Sequence, residues 1–241
     1  MDVTPVIQNT GGFLISVEGI SGAGKTSFAN ALAKEYELLD QKVIQLGGFE
    51  IHSYSSPLTI FCRDLVTSSR FVGLPWMAEI HLLIAELLFD VECLLVPALK
   101  EGRIVVFDGY WDSLVAFQSA RIKVQHPEIS SSAVEYLQKS LDLLFSFRPI
   151  PLPDCTIYLT CDIEKTKERL EARDTLPVTI EEIRLQKEIA RQYDGLFRNR
   201  DILRIDNSCE GGLSENIQSA LKFIQGKSYY GSEAKRSIPY L

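Results

Sequence analysis

Apolar positions along the chain follow two alternating patterns. Short continuous apolar runs predict five β-strands, which are Phe13 to Val17, Val43 to Leu46, Ile104 to Phe107, Thr156 to Leu159 and Ile202 to Ile205. Longer stretches repeat apolar residues at helical spacing, for example at Phe28, Leu32, Tyr36 and Leu39, and at Ile183, Ile189, Tyr193 and Leu196. Strands that alternate with helices indicate parallel crossovers, and continuous apolar strands are typical of a sheet covered on both faces. The pattern predicts a doubly wound α/β fold.

The length of the chain, 241 residues, suits a single domain. We assign its core to about residues 13–225 and a lid to about residues 165–180. From Gly226 onward the helical repeat of apolar residues is no longer clear, which predicts a C-terminal tail over about residues 226–241.

Two further segments have a marked local pattern. The stretch from Trp76 to Leu99 is the most apolar helix candidate, but ionisable residues interrupt it, so it predicts a core helix and not a membrane span. Three prolines lie between Arg148 and Asp154, where they predict the end of a helix and a rigid turn before the fourth strand.

Composition and charge narrow the functional classes. Apolar residues make up 46% and charged residues 24% of the chain, which are globular proportions. With 25 Lys and Arg against 32 Asp and Glu, the net charge of −7 opposes binding to nucleic acid or to an anionic membrane. The five cysteines form no CxxC pair, and the first residues lack the order of a signal peptide. We therefore expect reduced thiols, no disulfide framework, no zinc site and a cytoplasmic protein.

A phosphate-binding motif follows the first predicted strand. The segment Gly19-Ile-Ser-Gly-Ala-Gly-Lys-Thr26 fits the pattern G-x-x-x-x-G-K-[ST] and opens the first predicted helix. In this pattern the backbone amides cradle the phosphates of ATP, Lys25 reaches the β- and γ-phosphates, and the Thr26 hydroxyl ligates Mg²⁺. The predicted nucleotide-binding residues are Gly19, Ser21, Gly22, Ala23, Gly24, Lys25, Thr26 and Ser27. The alternative is a glycine-rich turn with a chance lysine.

Three charged residues complete the set of predicted catalytic side chains with Lys25. Asp108 ends an apolar strand, where it could organise Mg²⁺ or accept a proton, although an Asp in a turn before Gly109 is an alternative. Arg169 and Arg173 lie four residues apart on one helical face and could close over the phosphates. The alternative is a solvated helix in which these arginines pair with neighbouring glutamates.

These residues resemble the thymidylate kinases, which are P-loop nucleoside monophosphate kinases. The resemblance rests on three segments and three further residues: Glu18 to Thr26, His81 to Leu83 with the stretch to Leu99, Asp108 to Gln118, and the residues Arg169, Arg173 and Asp206. It implies a five-stranded parallel sheet flanked by helices, transfer of the γ-phosphoryl group of ATP with Mg²⁺, and a possible homodimer. The implied partner is a small-molecule nucleotide or related acceptor.

The acceptor side departs from the family pattern. Gly109 replaces the arginine of an Asp-Arg-Tyr segment, Ile84 replaces a stacking aromatic residue, Leu88 replaces a second arginine, and Gly47 to Glu50 replace an arginine-centred loop. The residues that could compensate are Arg63, Arg70 and Arg121, with Trp76 or Phe49 as a stacking surface. Three functions follow: a nucleoside monophosphate kinase, a kinase for an acceptor without a phosphate, such as a nucleoside, or a regulatory protein that binds nucleotide without transfer.

Overall fold

A five-stranded parallel sheet runs through the part of the chain that the computed structural model describes, which is residues 11–47, 60, 62, 75–147, 150–209 and 212–230. Its strands are β1 (Phe13–Gly19), β2 (Val43–Gly47), β3 (Ile104–Asp108), β4 (Cys155–Thr160) and β5 (Leu203–Asp206). Their lateral order is β2-β3-β1-β4-β5, and all four neighbouring pairs are parallel. The predicted α/β fold and all five predicted strands are confirmed, with ends that differ by one or two residues.

The described helices are numbered here in chain order. They are α1 (Lys25–Leu38), α2 (Trp76–Asp90), α3 (Val96–Lys100), α4 (Trp111–Gln125), α5 (Ser130–Phe147), α6 (Ile163–Asp174), α7 (Ile180–Leu196) and α8 (Leu213–Tyr230). None of these helices combines the length and the apolar character that crossing a membrane requires.

The central strand β1 is buried along its whole length because helices cover both faces of the sheet. Its alternate residues Phe13, Ile15 and Val17 pack into a core with α1, α7 and α8. Leu14 points to the other face, where it packs with residues of α2, α4 and α5. Strands buried on both faces read as continuous apolar runs, which is why the sequence pattern was sufficient to find them.

The predicted apolar helix from Trp76 to Leu99 is one nearly continuous helical run. A π-helical turn at Val91–Leu95 joins α2 to α3. Pro97 lies one turn further on, where it lacks a backbone N–H and its ring would collide with the carbonyl four residues earlier in a regular helix. The wider turn accommodates that ring without ending the helix.

Two helix predictions need correction. The aperiodic tail predicted from Gly226 is wrong for residues 226–230, because α8 continues to Tyr230. Packing of Leu221 and Ile224 against the sheet holds the end of this helix despite its glycine, and residues 231–241 lie outside the described part of the chain. In α7 the buried face is carried by Leu185, Ile189 and Tyr193, whereas Ile183 and Leu196 are only half-buried.

The predicted turn before β4 is non-helical from Ile150 to Asp154, while residues 148 and 149 lie outside the described ranges. Asp154 and Leu14 exchange two hydrogen bonds of 2.8 Å. In one, the Leu14 N–H donates to the Asp154 carboxylate, and in the other the Asp154 N–H donates to the Leu14 carbonyl. The turn thereby sets the register at which β4 joins β1.

Candidate active site

The loop between β1 and α1, residues 19–24, has three glycines with positive φ, and two of them show most clearly why glycine is needed. Gly19 has a φ of 151°, and a Cβ there would lie 2.5 Å from the Leu159 carbonyl oxygen. Gly24 has a φ of 90°, and its Cβ would lie 2.6 Å from Asn207 Nδ2. Any side chain would therefore either clash or strain the backbone. This is the predicted phosphate loop, and it lies at the carboxyl end of the central strand.

The helix that follows the loop begins without a cap. Gly24 has no side chain to accept a hydrogen bond, and no acidic residue lies in the first turn of α1. The amides of Lys25, Thr26 and Ser27 have no partner further back in the helix, and the helix dipole adds positive potential there. An anion such as a phosphate group would satisfy both requirements.

Lys25 lies over this helix end. Its Nζ donates a 3.1 Å hydrogen bond to the Ile20 carbonyl, and it stands 5.7 Å from the centre of the Phe117 ring. Burial lowers the pKa of Lys25, the carboxylates of Asp108 and Glu18 oppose that shift, and the Arg173 guanidinium reinforces it. A cation held where it is poorly solvated gains the most from an incoming phosphate.

Thr26 and Asp108 come together at the edge of the sheet. The Thr26 hydroxyl donates a 2.5 Å hydrogen bond to Asp108 Oδ2, and Asp108 is the last residue of β3, with 3% of its surface exposed. Parallel strands place their carboxyl ends at one edge, which explains how residues 26 and 108 meet. A hydroxyl and a carboxylate beside a phosphate site form an oxygen set that suits Mg²⁺.

The two predicted lid arginines have different surroundings, although both lie on α6. Arg169 donates to the Gly22 carbonyl at 3.4 Å and to the Asn207 carbonyl at 2.9 Å, so its guanidinium is held behind the phosphate loop. Arg173 is 64% exposed at its side chain and donates two hydrogen bonds to Asp174 next to it. The structure therefore brings Arg169 against the loop and leaves Arg173 at the tip of the predicted lid.

The segment predicted as a lid, about residues 165–180, spans most of α6, residues 175–179 and the first residue of α7. Thr179 and Glu182 form a reciprocal capping box at the start of α7. The Glu171 carboxylate accepts a 3.0 Å hydrogen bond from the Val178 N–H, which ties the end of the tip back to α6. Leu176 and Ile180 lie within this segment, and they are exposed by 61% and 81%.

A buried carboxyl network adjoins the phosphate loop, and the sequence patterns did not indicate it. Glu18 is completely buried and accepts hydrogen bonds from the Tyr110 N–H at 3.1 Å and the Ser113 hydroxyl at 2.5 Å. The Ser113 oxygen lies 2.7 Å from the Tyr193 hydroxyl, which also reaches the Gly19 carbonyl at 3.3 Å. A chain of polar groups thus connects Glu18 to the start of the loop.

Electrostatics raise the pKa of Glu18. Burial is the main cause of the increase, and the Asp112 carboxylate adds to it. Hydrogen bonds from Ser113 and the Tyr110 amide, and the charge of Lys25, oppose the increase. The resulting pKa is about 7, compared with an ordinary value of 4.5. Burial also raises the pKa of Asp112, but the Arg200 guanidinium at 2.7 Å opposes that shift. Near neutral pH both protonation states of Glu18 are therefore populated.

This shift predicts a pH-dependent contribution to stability. Because the folded state holds the Glu18 proton more tightly than the unfolded state, the contribution is complete below about pH 4.5 and is lost as pH rises to about 7. Glu18→Gln keeps the shape and cannot ionise. Its free energy of unfolding relative to wild type should rise by roughly 3 kcal/mol between about pH 5 and pH 8, measured by urea denaturation. Glu37→Gln, at an exposed position on α1, is the control. A difference that stays constant with pH would contradict the assignment.

Comparison with known proteins places the chain in a family. The thymidylate kinase family model matches residues 17–216, from the end of β1 into α8. The chain belongs to the thymidylate kinase family. Thymidylate kinase from Mesoplasma florum is 32% identical over 164 residues, which are 66% of this chain and 68% of that protein. Probable thymidylate kinase from Pyrococcus horikoshii is 27% identical over 203 residues, 82% of this chain and 88% of that protein.

The fold also has a solved counterpart. A thymidylate kinase structure from Candida albicans superposes with a TM-score of 0.66 at 19% sequence identity, covering 91% of this chain and 94% of that one. As a member of the thymidylate kinase family, the chain is a nucleotide kinase that transfers a phosphoryl group from ATP to a nucleoside monophosphate. This is the first of the three functions predicted from the sequence, and the comparisons offer no support for the two alternatives.

The acceptor side is where this member of the thymidylate kinase family differs from the pattern. Gly109 has a φ of 75°, and a Cβ there would lie 3.1 Å from the Ser113 oxygen, so this backbone disfavours the arginine of the family pattern. Ile84 and Leu88 are half-buried and pack against the core between α2 and the sheet. An apolar surface therefore lies where the resemblance implies stacking and a charged contact.

The structure describes two of the residues predicted to replace the missing acceptor-side contacts, Arg121 and Trp76. Arg121 forms an ion pair with the buried carboxylate of Glu79, which also accepts a 3.0 Å hydrogen bond from Gln118. Trp76 packs edge to face on Tyr136 with ring centres 6.0 Å apart. The other predicted compensating positions lie outside the described residues: Arg63, Arg70 and Phe49, together with residues 48–50 of the loop after β2.

Proposed function

We propose that the chain transfers the γ-phosphoryl group of Mg²⁺-bound ATP to a pyrimidine nucleoside monophosphate, with thymidylate as its preferred acceptor. The main support for an ATP and Mg²⁺ site is the 2.5 Å hydrogen bond between Thr26 and Asp108, which lies beside Lys25 and the phosphate loop. The names of the curated relatives support thymidylate as the acceptor.

The phosphate loop residues have distinct proposed roles. The amides of Gly24 and of the first turn of α1 hold the donor phosphates, because this helix end has no side-chain cap. Lys25 binds the β- and γ-phosphate oxygens and stabilises the charge that develops on them during transfer. The loop is held by several side chains, so it needs little rearrangement when ATP binds.

Thr26 and Asp108 are the proposed metal-organising residues. When bound, Mg²⁺ would neutralise charge on the β- and γ-phosphates of ATP. The Thr26 hydroxyl and the Asp108 carboxylate would hold the ion, and Asp108 orients that hydroxyl through their hydrogen bond. The low exposure of Asp108 keeps its carboxylate fixed relative to the loop.

The two arginines of α6, Arg169 and Arg173, have different proposed roles. Arg173 is the proposed arm that reaches the transferring phosphoryl group, because its guanidinium is exposed and its positive charge already acts on Lys25. Arg169 instead holds the back of the loop through backbone carbonyls. This assignment separates a residue for the transition state from a residue for the shape of the binding site.

The test is an assay for ADP and product formation with thymidylate, other nucleoside monophosphates, thymidine and no acceptor. We expect Mg²⁺-dependent formation of thymidine diphosphate, with kcat/KM highest for thymidylate. Phosphorylation of thymidine in preference to thymidylate, or ATP hydrolysis alone, would overturn the proposal.

Two variants sharpen this assay. Thr26→Val keeps the shape of the side chain but removes the hydroxyl, so half-maximal activity should need roughly 10-fold more Mg²⁺. Lys34→Ala removes an exposed cation from the same helix and should behave as wild type. An unchanged Mg²⁺ requirement in Thr26→Val would refute the metal role of Thr26.

A further inference from the structure

Four carbonyl oxygens of the phosphate loop each accept a hydrogen bond from a side chain. The Gly19 carbonyl accepts from Tyr193 at 3.3 Å and the Ile20 carbonyl from Lys25 at 3.1 Å. The Gly22 carbonyl accepts from Arg169 at 3.4 Å, and the Ala23 carbonyl accepts from Asn207 at 2.8 Å. Four side chains, three from different helices and one from the residue after β5, thus fix the direction of four peptide groups.

Asn207 makes the shortest of these contacts, and three further hydrogen bonds fix its own position. It follows β5, and only 9% of its surface is exposed. Its N–H donates to the Thr160 carbonyl at 2.8 Å, and its own carbonyl accepts from Arg169 at 2.9 Å. Asn216 on α8 donates a 3.1 Å hydrogen bond to Asn207 Oδ1. The Ala23 carbonyl accepts from Asn207 Nδ2, and the Asn216 amide donates to Asn207 Oδ1. Both contacts require the same orientation of the Asn207 side-chain amide.

Geometry links this contact to nucleotide binding. In a trans peptide the C=O and the following N–H point in opposite directions, so a carbonyl of Ala23 held by Asn207 turns the Gly24 N–H away from Asn207. The Asn207 amide also stands 2.6 Å from the position a Gly24 Cβ would occupy, and therefore packs directly against the turn into α1.

We propose that Asn207 is a positioning residue for the ATP site, which fixes the Ala23–Gly24 peptide so that the Gly24 amide is presented to the donor phosphates. The proposal rests on the proposed donor site and adds a residue to it. The neighbouring Asp206 does not share this role, because its exposed carboxylate accepts hydrogen bonds from Ser208. Asp206 ends β5 and Asn207 is the next residue, and successive side chains along an extended chain point in opposite directions.

The experiment compares Asn207→Ala, Asn207→Asp and an Asn30→Ala control at an exposed site on α1. ADP binding is measured by calorimetry, and kcat and KM are measured for ATP and thymidylate. Loss of the buried donor in Asn207→Ala should weaken ADP binding and raise the KM for ATP by about 10-fold. The KM for thymidylate should stay within about 2-fold, because the proposal assigns this peptide to the donor phosphates alone. Thermal unfolding without nucleotide establishes that each variant is folded.

Asn207→Asp adds a readout that loss of packing would not produce. An ionised carboxylate opposes the Ala23 carbonyl, whereas a protonated one donates to it as the amide does. ADP affinity of Asn207→Asp relative to wild type should therefore recover as pH falls from about 8 to about 6. Should Asn207→Ala bind ADP like wild type, or Asn207→Asp show no relative pH dependence, the proposal is overturned.

The binding measurement separates this proposal from the proposed function. If wild type binds ADP but phosphorylates no monophosphate, the proposed acceptor fails while the ADP affinities still decide the role of Asn207. A parallel loss of affinity for ATP and thymidylate in Asn207→Ala would indicate a general structural defect and would also overturn the proposal.

Discussion

Lys25→Ala is expected to lower kcat for phosphoryl transfer by about 10³-fold, which is the largest effect we predict. The lysine supplies a full positive charge at a poorly solvated position, where charge on the transferring group is least screened. Its Nζ is already within the loop, 3.1 Å from the Ile20 carbonyl, so binding ATP requires little movement of the side chain. Initial rates with saturating ATP and thymidylate give the comparison.

Stability distinguishes this loss from unfolding. Burial lowers the pKa of Lys25, which means that the folded protein tolerates its charge poorly without a ligand. Lys25→Ala should therefore unfold at the same temperature as wild type or at a higher one, in the absence of nucleotide. Lys34→Ala serves as the surface control. Turnover within a few-fold of wild type in the Lys25 variant would refute the assigned role.

Arg173→Ala is expected to lower kcat by about 10²-fold with little change in the KM for ATP. The side chain is exposed and bonded to Asp174, so it contributes little to the ground-state shape of the site. A guanidinium that reaches the phosphates only on closure of the proposed lid would act mainly in the transition state. Steady-state kinetics with ATP as the varied substrate measure the two constants.

Arg169→Ala provides the contrast on the same helix. Because Arg169 holds the Gly22 and Asn207 carbonyls, its loss should raise the KM for ATP more than it lowers kcat. Arg191→Ala is the matched control, since Arg191 is 74% exposed and pairs with Glu188 on the outer face of α7. The reverse pattern, with kcat sensitive to Arg169 and not to Arg173, would exchange the roles of the two arginines.

Much of the donor side could be predicted from the sequence because its residues are local. Glycines, lysine and threonine follow one another within residues 19–26, and the strand before them is a continuous apolar run. Asp108 was predictable for a related reason, since a carboxylate directly after a buried strand must lie at the edge where parallel strands end. The thymidylate kinase resemblance rests on these segments.

The supporting contacts could not be predicted because they join distant parts of the chain. Glu18 and Ser113 are 95 residues apart, and Ala23 and Asn207 are 184 residues apart. Arg169 and Arg173 share one helical face, and their difference depends on carbonyl groups that other elements bring to Arg169. The end of α8 was missed because a glycine interrupts its pattern, whereas packing against the sheet decides its length.

The place of β1 between β3 and β4 has a bearing on how the protein folds. Leu14 is hydrogen-bonded to Asp154, which lies 140 residues later in the chain. Both edges of the central strand can therefore be paired only after β3 and β4, which are distant in sequence, have joined it. The phosphate loop continues directly from that strand and takes its shape only when these distant pairings are complete. Nucleotide then binds the folded state alone and stabilises it by mass action, by about 2.7 kcal/mol at a concentration 100 times its Kd. Cellular ATP would in this way favour the completed fold over its partly assembled precursors.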